Sequence, residues 1–284
     1  MPRFAANLHY LFTEWDFLDR FAAAADAGFR AVEFQVPYHW APDVLSERLR
    51  ANGLQMVLFD APMGDWDAGD RGLAALPGRE AEFRASLAPV VDYAGALGCD
   101  LVHVMAGVAP AGADRAAMER VYVANLRHAA GILGPHGVSA VIEPINPALG
   151  APKGEGGAAY TTRGMPGYFL NHTADARRVV DAVGSNALAL HLDVYHMQVL
   201  EGHLAQSLQD SLPLLRHVQI AGVPGRHEPD AGEINYPWLF AFLDDIGYRG
   251  WVGCEYRPRA GTLDGLGWGA PYGLRAGAKA GGDV

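Results

Sequence analysis

The protein is a chain of 284 residues, of which 50% are hydrophobic and 19% are charged, and this composition excludes a disordered chain and provides for a large core. Its formal net charge is −10 and it has no long run of Lys and Arg, which argues against a nucleic-acid partner because phosphate contacts require a basic surface. Two cysteines, Cys99 and Cys254, are too few for a disulfide framework. No apolar run is long enough to span a bilayer, and the first residues do not resemble a signal peptide. We therefore expect a cytoplasmic protein with no membrane partner.

Strand-like and helix-like segments alternate along the whole chain. The predicted strands are residues 3–8, 31–34, 54–59, 101–105, 138–142, 187–192, 217–220 and 251–254. The predicted helices are residues 14–27, 43–51, 80–97, 115–133, 173–183, 197–210 and 237–246. This alternation predicts βα units built around a parallel sheet.

The number of these units decides between two α/β architectures. Eight strand–helix units within about 260 residues, the last with only a weak helical pattern, are typical of one (β/α)8 barrel, the TIM barrel. An open doubly wound sheet is the alternative, and the absence of a GxGxxG motif after the first strand disfavours it. We therefore predict a single barrel domain over residues 1–262, followed by a C-terminal extension, residues 263–284, that ends in a mobile tail.

Acidic or amide side chains stand where several predicted strands end. Glu33 and Asp60 end the second and third strands. The fifth to eighth strands end in Glu143, Asp193, Gln219 and Glu255. One acidic residue after a strand is often a surface residue, but three acids that each follow an apolar run directly indicate a site. Because the active site of a (β/α)8 barrel lies at the carboxyl ends of its strands, we expect these side chains to converge on one mouth.

Such a convergence of acidic groups predicts a bound cation. Neighbouring carboxylates repel one another, and a cation between them removes the repulsion. Oxygen ligands suit Mg²⁺ or Mn²⁺ better than Zn²⁺, which prefers nitrogen and sulfur. The sequence therefore predicts one divalent metal ion, Mg²⁺ or Mn²⁺, with the ligands Glu143, Asp193, Gln219 and Glu255.

Imidazole and guanidinium groups near the expected mouth are candidates for substrate binding. His196 follows Asp193 by three residues and can bind a substrate oxygen or donate a proton, with local packing at a helix start as the alternative. Arg226 and His227 lie in the loop after the seventh strand, and Arg257 follows the eighth. These three can hold an anionic substrate, because a guanidinium binds a carboxylate through two hydrogen bonds. A solvated loop is the alternative for Arg226 and His227.

Four further histidines lie in or near the predicted strands, and two common catalytic motifs are absent from the sequence. His9 and His103 lie at or near strand ends and are further candidates for substrate contact, whereas His191 and His217 lie within strands and are interpreted as structural. The chain has no GxSxG motif and no GxxxxGK[ST] motif. A serine hydrolase and a P-loop enzyme therefore have no support.

Several motifs together resemble the hydroxypyruvate isomerase family. They include IEPIN, DVYHMQ, HVQIAGVPGR, HEPDAGEINY and GWVGCEYRP, and the resemblance extends from Arg3 to Gly273. DVYHMQ, GEINY and GCEY are the most specific of them. This family is one of the xylose isomerase-like barrels, which also include 2-oxo-tetronate isomerases, ketose 3-epimerases and endonuclease IV barrels.

The resemblance implies an isomerase that interconverts an α-hydroxy ketone and an α-hydroxy aldehyde through an enediolate. The simplest such reaction converts hydroxypyruvate to 2-hydroxy-3-oxopropanoate. The resemblance also implies that Glu143 and Glu255 are the proton donor and acceptor, that the four ligands named above surround the metal, and that His196 contacts the substrate. Related epimerases have a histidine where Gln219 stands, which implies weaker metal binding here.

The chain departs from the family in one loop, and the reaction has alternatives. The loop of residues 147–168 is longer than expected, and its Lys153 and Arg163 can approach an anionic substrate or remain solvated.

A 2-oxo-tetronate isomerase or a sugar 3-epimerase fits the same framework. A metal-dependent phosphodiesterase acting on abasic DNA would need further histidine ligands, and a catalytically inactive carbohydrate-binding barrel is the remaining alternative. Barrels of this group often form pairs, so a homo-oligomer is a further expectation that the sequence does not decide.

Overall fold

Eight parallel strands close into a barrel in this computed structural model, which describes residues 1–148 and 163–276. The strands are β1 (Arg3–Asn7), β2 (Ala31–Glu33), β3 (Gln55–Asp60), β4 (Leu101–His103), β5 (Ser139–Ile142), β6 (Leu188–Asp193), β7 (Leu215–Ile220) and β8 (Trp251–Cys254). Each strand pairs with the next one in the chain, and β1 pairs with β8 in the register Arg3 to Trp251. The predicted (β/α)8 barrel is confirmed, and the open sheet is wrong.

Helices connect the strands and cover the outside of the barrel. The α-helices are α1 (Arg20–Asp26), α2 (Pro42–Ala51), α3 (Glu80–Ser86), α4 (Val90–Leu97), α5 (Arg115–Leu133), α6 (Thr173–Val183), α7 (Val194–Leu200), α8 (Leu204–Ser211), α9 (Tyr236–Asp245) and α10 (Thr262–Gly265). Short 3-10 helices span Phe17–Asp19, Gly134–His136 and Leu266–Tyr272. Because helices lie on the outer face, strand residues are buried on both faces of the sheet. No helix in the described parts of the chain is both long and apolar enough to cross a membrane.

Two of the predicted helices are each divided into two. Residues 80–97 form α3 and α4, and Pro89 lies between them, where its missing N–H and its ring do not fit a continuous helix. Residues 197–210 are divided between α7 and α8, and Gly202 between them has a φ of 62°. The helix predicted for residues 14–27 begins only with the 3-10 turn at Phe17. These differences move helix ends and leave the strand ends that carry the site in place.

The described part of the C-terminal extension packs against the barrel. The indole ring of Trp268 contacts the ring of Phe4 edge-on, with 5.1 Å between the ring centres, and its N–H donates to the hydroxyl of Tyr256. The backbone N–H of Arg275 donates to the carbonyl of Ala27. Residues 277–284, which carry the predicted mobile tail, lie outside the described residues.

Gly253 in β8 keeps space for a buried carboxylate. A Cβ atom placed at this position would lie 2.3 Å from Oε2 of Glu33, and Glu33 accepts hydrogen bonds from Asn7, His217 and Gln219. We expect Gly253→Ala to displace Glu33 and to lower the free energy of unfolding by about 1–3 kcal/mol, as overpacking does. Urea denaturation would measure the change.

The matched control is Gly95→Ala. Gly95 lies in α4, and a Cβ atom there meets nothing within 4 Å. Alanine is expected to raise the free energy of unfolding by up to about 1 kcal/mol, because it costs less backbone entropy in a helix than glycine does. A Gly253→Ala variant as stable as the wild type would show that Glu33 does not need this space.

Candidate active site

The carboxyl ends of the strands surround one cavity. Its polar wall consists of Asn7, Glu33, Gln35, Asp60, His103, Glu143, His191, His196, Gln219, Arg226 and Glu255. Its apolar wall includes Phe34, Met63, Trp66, Met105, Ile145 and Met165. The strand alternation explains the depth of the polar wall, since residues two apart face the same side. On β6, His191 and Asp193 are both buried, and on β7, His217 and Gln219 are both buried.

Glu255 is the most heavily hydrogen-bonded carboxylate of the site. Its Oε2 accepts hydrogen bonds from Asn7 at 3.0 Å, Gln35 at 3.2 Å and Gln219 at 2.5 Å. Its Oε1 accepts one from Nη2 of Arg226 at 2.6 Å. Burial raises the pKa of Glu255, and the charge of Arg226 opposes that rise. The four donors fix the orientation of the carboxylate and offset part of the cost of ionising it, and its pKa is raised to about 8.

Arg226 is a fully buried guanidinium between two carboxylates. Its Nη2 donates to Oδ2 of Asp193 at 2.8 Å as well as to Glu255. Burial alone would lower the pKa of Arg226, but Tyr10, Glu255 and Asp193 together raise it, so the side chain stays charged. Its φ of 56° lies in the left-handed region, which is uncommon for a residue other than glycine. The loop after β7 thus accepts some backbone strain to point this cation into the site.

Glu143 has a different environment from Glu255. It follows β5 and is buried, and in the described part of the chain its Oε1 has no hydrogen-bond partner. Burial raises the pKa of Glu143 well above its usual value, and the nearby carboxylates of Asp193 and Glu255 raise it further. Arg226 lowers the pKa of Glu143 less than these groups raise it. Of the two glutamates, Glu255 is the more readily ionised.

The hydrogen bonds of Asn146 determine the tautomer of His196. Nδ2 of Asn146 donates to the carbonyl oxygen of Arg163 at 2.8 Å, which identifies it as the NH₂ group, and it lies 2.6 Å from Nδ1 of His196. Nδ1 therefore accepts, and the neutral ring carries its proton on Nε2. Nε2 lies 3.6 Å from Oδ2 of Asp193 and 3.9 Å from Oε1 of Glu143. Burial lowers the pKa of His196 well below its usual value, so the ring is a neutral N–H donor facing the site.

Two other side chains predicted to bind substrate lie outside the cavity wall. His227 and Arg257 are not among the described residues that line the cavity. Nδ1 of His227 lies 2.9 Å from the carbonyl oxygen of Arg257, so these two residues connect the loops after β7 and β8. Arg163 contributes its carbonyl oxygen to Asn146, and Lys153 lies outside the described residues. Their roles in substrate binding stay predictions.

The buried donor groups fit a divalent cation. Ligand atoms of Glu143, Asp193 and His196 lie within 4.8 Å of one another, and so do those of His103, Glu143 and His191. Oε1 of Gln219 is buried and lacks a well-formed hydrogen bond among the described residues, apart from a weak one with the His191 ring. Glu255 and Asp193 already share the charge of Arg226. Glu143, Asp193, Gln219 and Glu255 remain the proposed ligand set.

The side chains that support Glu255 were not among the predicted site residues. Asn7 and Gln35 donate to its Oε2 although they lie 248 and 220 positions away in the chain. Glu33 was recognised only as a strand end, and it accepts from His217 at 2.6 Å and from Gln219 at 2.6 Å. His217 is thus a structural residue, as predicted. A polar residue within or just after a β-strand of the barrel is the one signal that could have indicated Asn7 and Gln35.

His9 makes stability depend on pH near the rim of the site. It is buried beside Phe17 and Phe34 and lies 2.5 Å from Oε1 of Gln35. Burial lowers its pKa to about 4. Between pH 6.5 and 4 the unfolded chain therefore binds a proton that the folded chain does not, and stability falls as the pH falls.

This shift predicts a measurable difference between two variants. Over pH 7 to 4, the wild type should lose about 3 kcal/mol more free energy of unfolding than His9→Asn, which has no imidazole to protonate. Urea denaturation at a series of pH values would measure it. The exposed His136 provides the control, since His136→Asn should follow the wild-type curve. Parallel curves for the wild type and His9→Asn would contradict the assignment.

The sequence and the fold are similar to those of known proteins over nearly the whole chain. The family described as "Xylose isomerase-like TIM barrel" matches residues 21–272. The chain is 53% identical over 272 residues to the 2-oxo-tetronate isomerase of Cupriavidus necator. This alignment covers 96% of this chain and 99% of that protein. The chain is 42% identical over 272 residues to the hydroxypyruvate isomerase of Escherichia coli K12, which covers 96% of this chain and 100% of that protein. The crystal structure of an AP endonuclease, family 2, from Brucella melitensis has a TM-score of 0.89 and 47% identity, over 96% of this chain and 99% of that one.

Proposed function

Since this chain belongs to the xylose isomerase-like TIM barrel family and is an isomerase of small hydroxy-oxo acids, we propose that it interconverts hydroxypyruvate and 2-hydroxy-3-oxopropanoate. The similarity to the hydroxypyruvate isomerase of Escherichia coli and the family match confirm the resemblance that the motifs indicated. The relative from Cupriavidus necator favours a second candidate substrate, 2-oxo-tetronate, which has one more carbon. Both acids carry the hydroxyl next to a carbonyl that this type of isomerisation requires.

The observation that carries the proposal is the pairing of two unlike glutamates in one cavity. Glu143 and Glu255 both line it. Four donors hold Glu255. In the metal-free protein burial raises the pKa of both glutamates, that of Glu255 to about 8 and that of Glu143 further. An isomerisation needs one group that takes a proton from carbon and a source that returns a proton to the neighbouring carbon. Two carboxyl groups with different proton affinities suit these two tasks.

The proposed proton transfers follow from these environments. Glu255 takes the proton from the hydroxymethyl carbon of hydroxypyruvate, which produces an enediolate. The proton of the neighbouring hydroxyl passes to the former carbonyl oxygen, so that the first carbon becomes the aldehyde and the second carries the hydroxyl. Glu143 then supplies a proton to the former carbonyl carbon. His196 donates its Nε2–H to a substrate oxygen while negative charge is present there. Of the described residues that line the cavity, Arg226 alone carries a permanent positive charge, and it faces the carboxylate of the substrate.

A divalent cation belongs to this proposal. Glu143, Asp193, Gln219 and Glu255 would hold Mg²⁺ or Mn²⁺, since oxygen ligands suit these ions. When bound, the cation stabilises negative charge on the oxygens of the substrate as a Lewis acid. The protein's own contribution is to position the substrate, to keep water away through the apolar wall, and to move the protons.

The test is an assay of both acids after removal of metal. We expect chelation to lower the rate at least about 100-fold and Mn²⁺ or Mg²⁺ to restore it, because metal electrostatics supply several kcal/mol. In D₂O, an isomerase places deuterium on the carbon next to the one that lost its proton. A sugar 3-epimerase would place it on the same carbon instead. Turnover of ketoses but of neither acid would contradict the proposal.

A further inference from the structure

Three buried groups in the wall of the active-site cavity come from three neighbouring strands. His103 ends β4, Glu143 follows β5 and His191 lies within β6. Nε2 of His103 lies 3.9 Å from Oε2 of Glu143, and Nδ1 of His191 lies 3.9 Å from the same oxygen. All three ligand atoms lie within 4.8 Å of one another. The two distances of 3.9 Å are about 0.5 Å wider than the separation of about 3.4 Å between ligand atoms that tetrahedral bonds of about 2.1 Å produce, so the side chains would move slightly inward around an ion.

The two imidazoles lack the hydrogen bonds that buried imidazoles normally make. Within the described part of the chain, Nε2 of His103 and Nδ1 of His191, the ring atoms nearest Glu143, lack a well-formed hydrogen bond. The side chain of Gln219 makes a weak hydrogen bond to the His191 ring. His191 is 1% exposed and His103 is 4% exposed. Burial of an unpaired polar group costs a few kcal/mol, so such groups require an explanation. The interpretation of His191 as a structural residue stays a prediction, and its hydrogen bond to Gln219 agrees with it.

Asp60 orients His103 as a ligand. Oδ1 of Asp60 lies 3.2 Å from Nδ1 of His103, so this carboxylate accepts the Nδ1 proton. The lone pair of the neutral ring then lies on Nε2, which faces Glu143. A carboxylate behind an imidazole is the common support of metal-binding histidines, since it fixes the tautomer and raises the basicity of the ligand atom.

Glu143 faces two donor groups with its two oxygens. Its Oε2 is the atom near His103 and His191, whereas its Oε1 is the atom near His196 on the side of Asp193. A carboxylate in this position can bridge two cations, and paired cations in enzymes lie about 3.5–4 Å apart. The second position differs chemically from the first because two of its three ligands are nitrogen.

We propose that His103, Glu143 and His191 form a second cation site that selects a transition-metal ion of the Zn²⁺ or Co²⁺ type. Two imidazoles and one carboxylate are a donor set that Zn²⁺ accepts with its fourth position open. The oxygen ligands of the first site favour Mg²⁺ or Mn²⁺ instead. The proposal shares Glu143 with the proposed function but does not depend on the reaction, because metal binding is measured without substrate.

The test is a titration with Co²⁺ as a spectroscopic probe. Chelator-treated protein is first saturated with Mg²⁺ and then titrated with Co²⁺, while calorimetry and visible absorption record the binding. We expect one Co²⁺ per chain, and we expect His191→Gln to weaken its binding at least about 100-fold, more than the loss of a supporting residue does. His217→Gln is the matched control, since His217 is a buried imidazole beside His191 but is bound to Glu33. It should keep the Co²⁺ absorption.

The possible results separate this proposal from the proposed function. Equal Co²⁺ binding by the wild type and by folded His191→Gln would overturn the second site, and so would the absence of Co²⁺ binding in saturating Mg²⁺. If His191→Gln does not fold, zinc X-ray absorption of the wild type decides, because two imidazole ligands support the site and fewer than two overturn it. If the wild type lacks the second site, its isomerase activity with Mg²⁺ is still expected. Conversely, an inactive protein would still report its Co²⁺ binding.

Discussion

Glu255→Gln is expected to lower kcat by about 10²–10⁴-fold with a small change in KM, because it removes the group that takes the proton from carbon. Glutamine has nearly the same shape and keeps one oxygen for Arg226 or for a metal ion. The loss should therefore appear in the chemical step and not in substrate binding. Steady-state kinetics with hydroxypyruvate and with 2-oxo-tetronate would measure it.

Hydrogen exchange separates the roles of the two glutamates. In D₂O, the wild type should exchange the protons of the hydroxymethyl carbon of hydroxypyruvate faster than the protein-free solution does. Glu255→Gln should lose this exchange together with turnover. Glu143→Gln should retain part of the exchange and lose turnover, because the first proton transfer survives and the second does not. Proton NMR of the remaining substrate would record both.

Metal binding provides the control for these variants. The affinity for Mn²⁺ of each variant should be measured, since both glutamates are also proposed ligands. A variant that binds Mn²⁺ normally and does not turn over has lost its proton transfer. Turnover within tenfold of the wild type in both variants would show that these carboxylates are not the catalytic pair. Exchange that is lost only in Glu143→Gln would reverse their roles.

Strand ends could be predicted from the sequence because their signal is local. Glu143, Asp193 and Glu255 each follow a short apolar run directly, and in a parallel barrel that position determines which mouth the side chain faces. Glu143 and Glu255 line one cavity. Asp193 shares Arg226 with Glu255, and its ligand atom lies within 4.8 Å of that of Glu143. The barrel itself was predictable for the same reason, since eight βα units leave few alternatives.

The partners of those carboxylates could not be predicted, because they depend on long-range geometry. Nothing near Asn7 in the sequence indicates a hydrogen bond to Glu255. His191 looks structural in a strand pattern, and only the structure shows that its Nδ1 lies 3.9 Å from Oε2 of Glu143. Helix ends also depend on single residues such as Pro89 and Gly202, which interrupt otherwise regular patterns.

Arg226 shows both limits at once. The sequence indicated a loop cation for an anionic substrate, but its contacts with Asp193 and Glu255 depend on a left-handed backbone at this residue. The guanidinium lies against two of the carboxylates proposed to bind the divalent cation. It therefore neutralises part of the charge that would otherwise make those carboxylates repel each other.

Arg226→Met is expected to lower the free energy of unfolding of metal-free protein by about 3–5 kcal/mol. The substitution keeps most of the side-chain volume but leaves Asp193 and Glu255 buried without their cation, which is the costly way to break a buried ion pair. Urea denaturation after chelation would measure the loss. Mn²⁺ should then stabilise Arg226→Met more than it stabilises the wild type, because a divalent cation can replace the missing charge between the carboxylates.

Arg79→Met is the control that distinguishes burial from charge. Arg79 also pairs with two carboxylates, Asp70 at 2.6 Å and Glu82 at 2.6 Å, but it lies at the surface with 32% of its side chain exposed. Water stabilises its partners when the arginine is removed, so the loss should be about 1 kcal/mol or less, and Mn²⁺ should not reduce it. If Arg226→Met lost no more stability than Arg79→Met, Asp193 and Glu255 would have to be protonated in the metal-free protein. The buried guanidinium would then serve the substrate and not the fold.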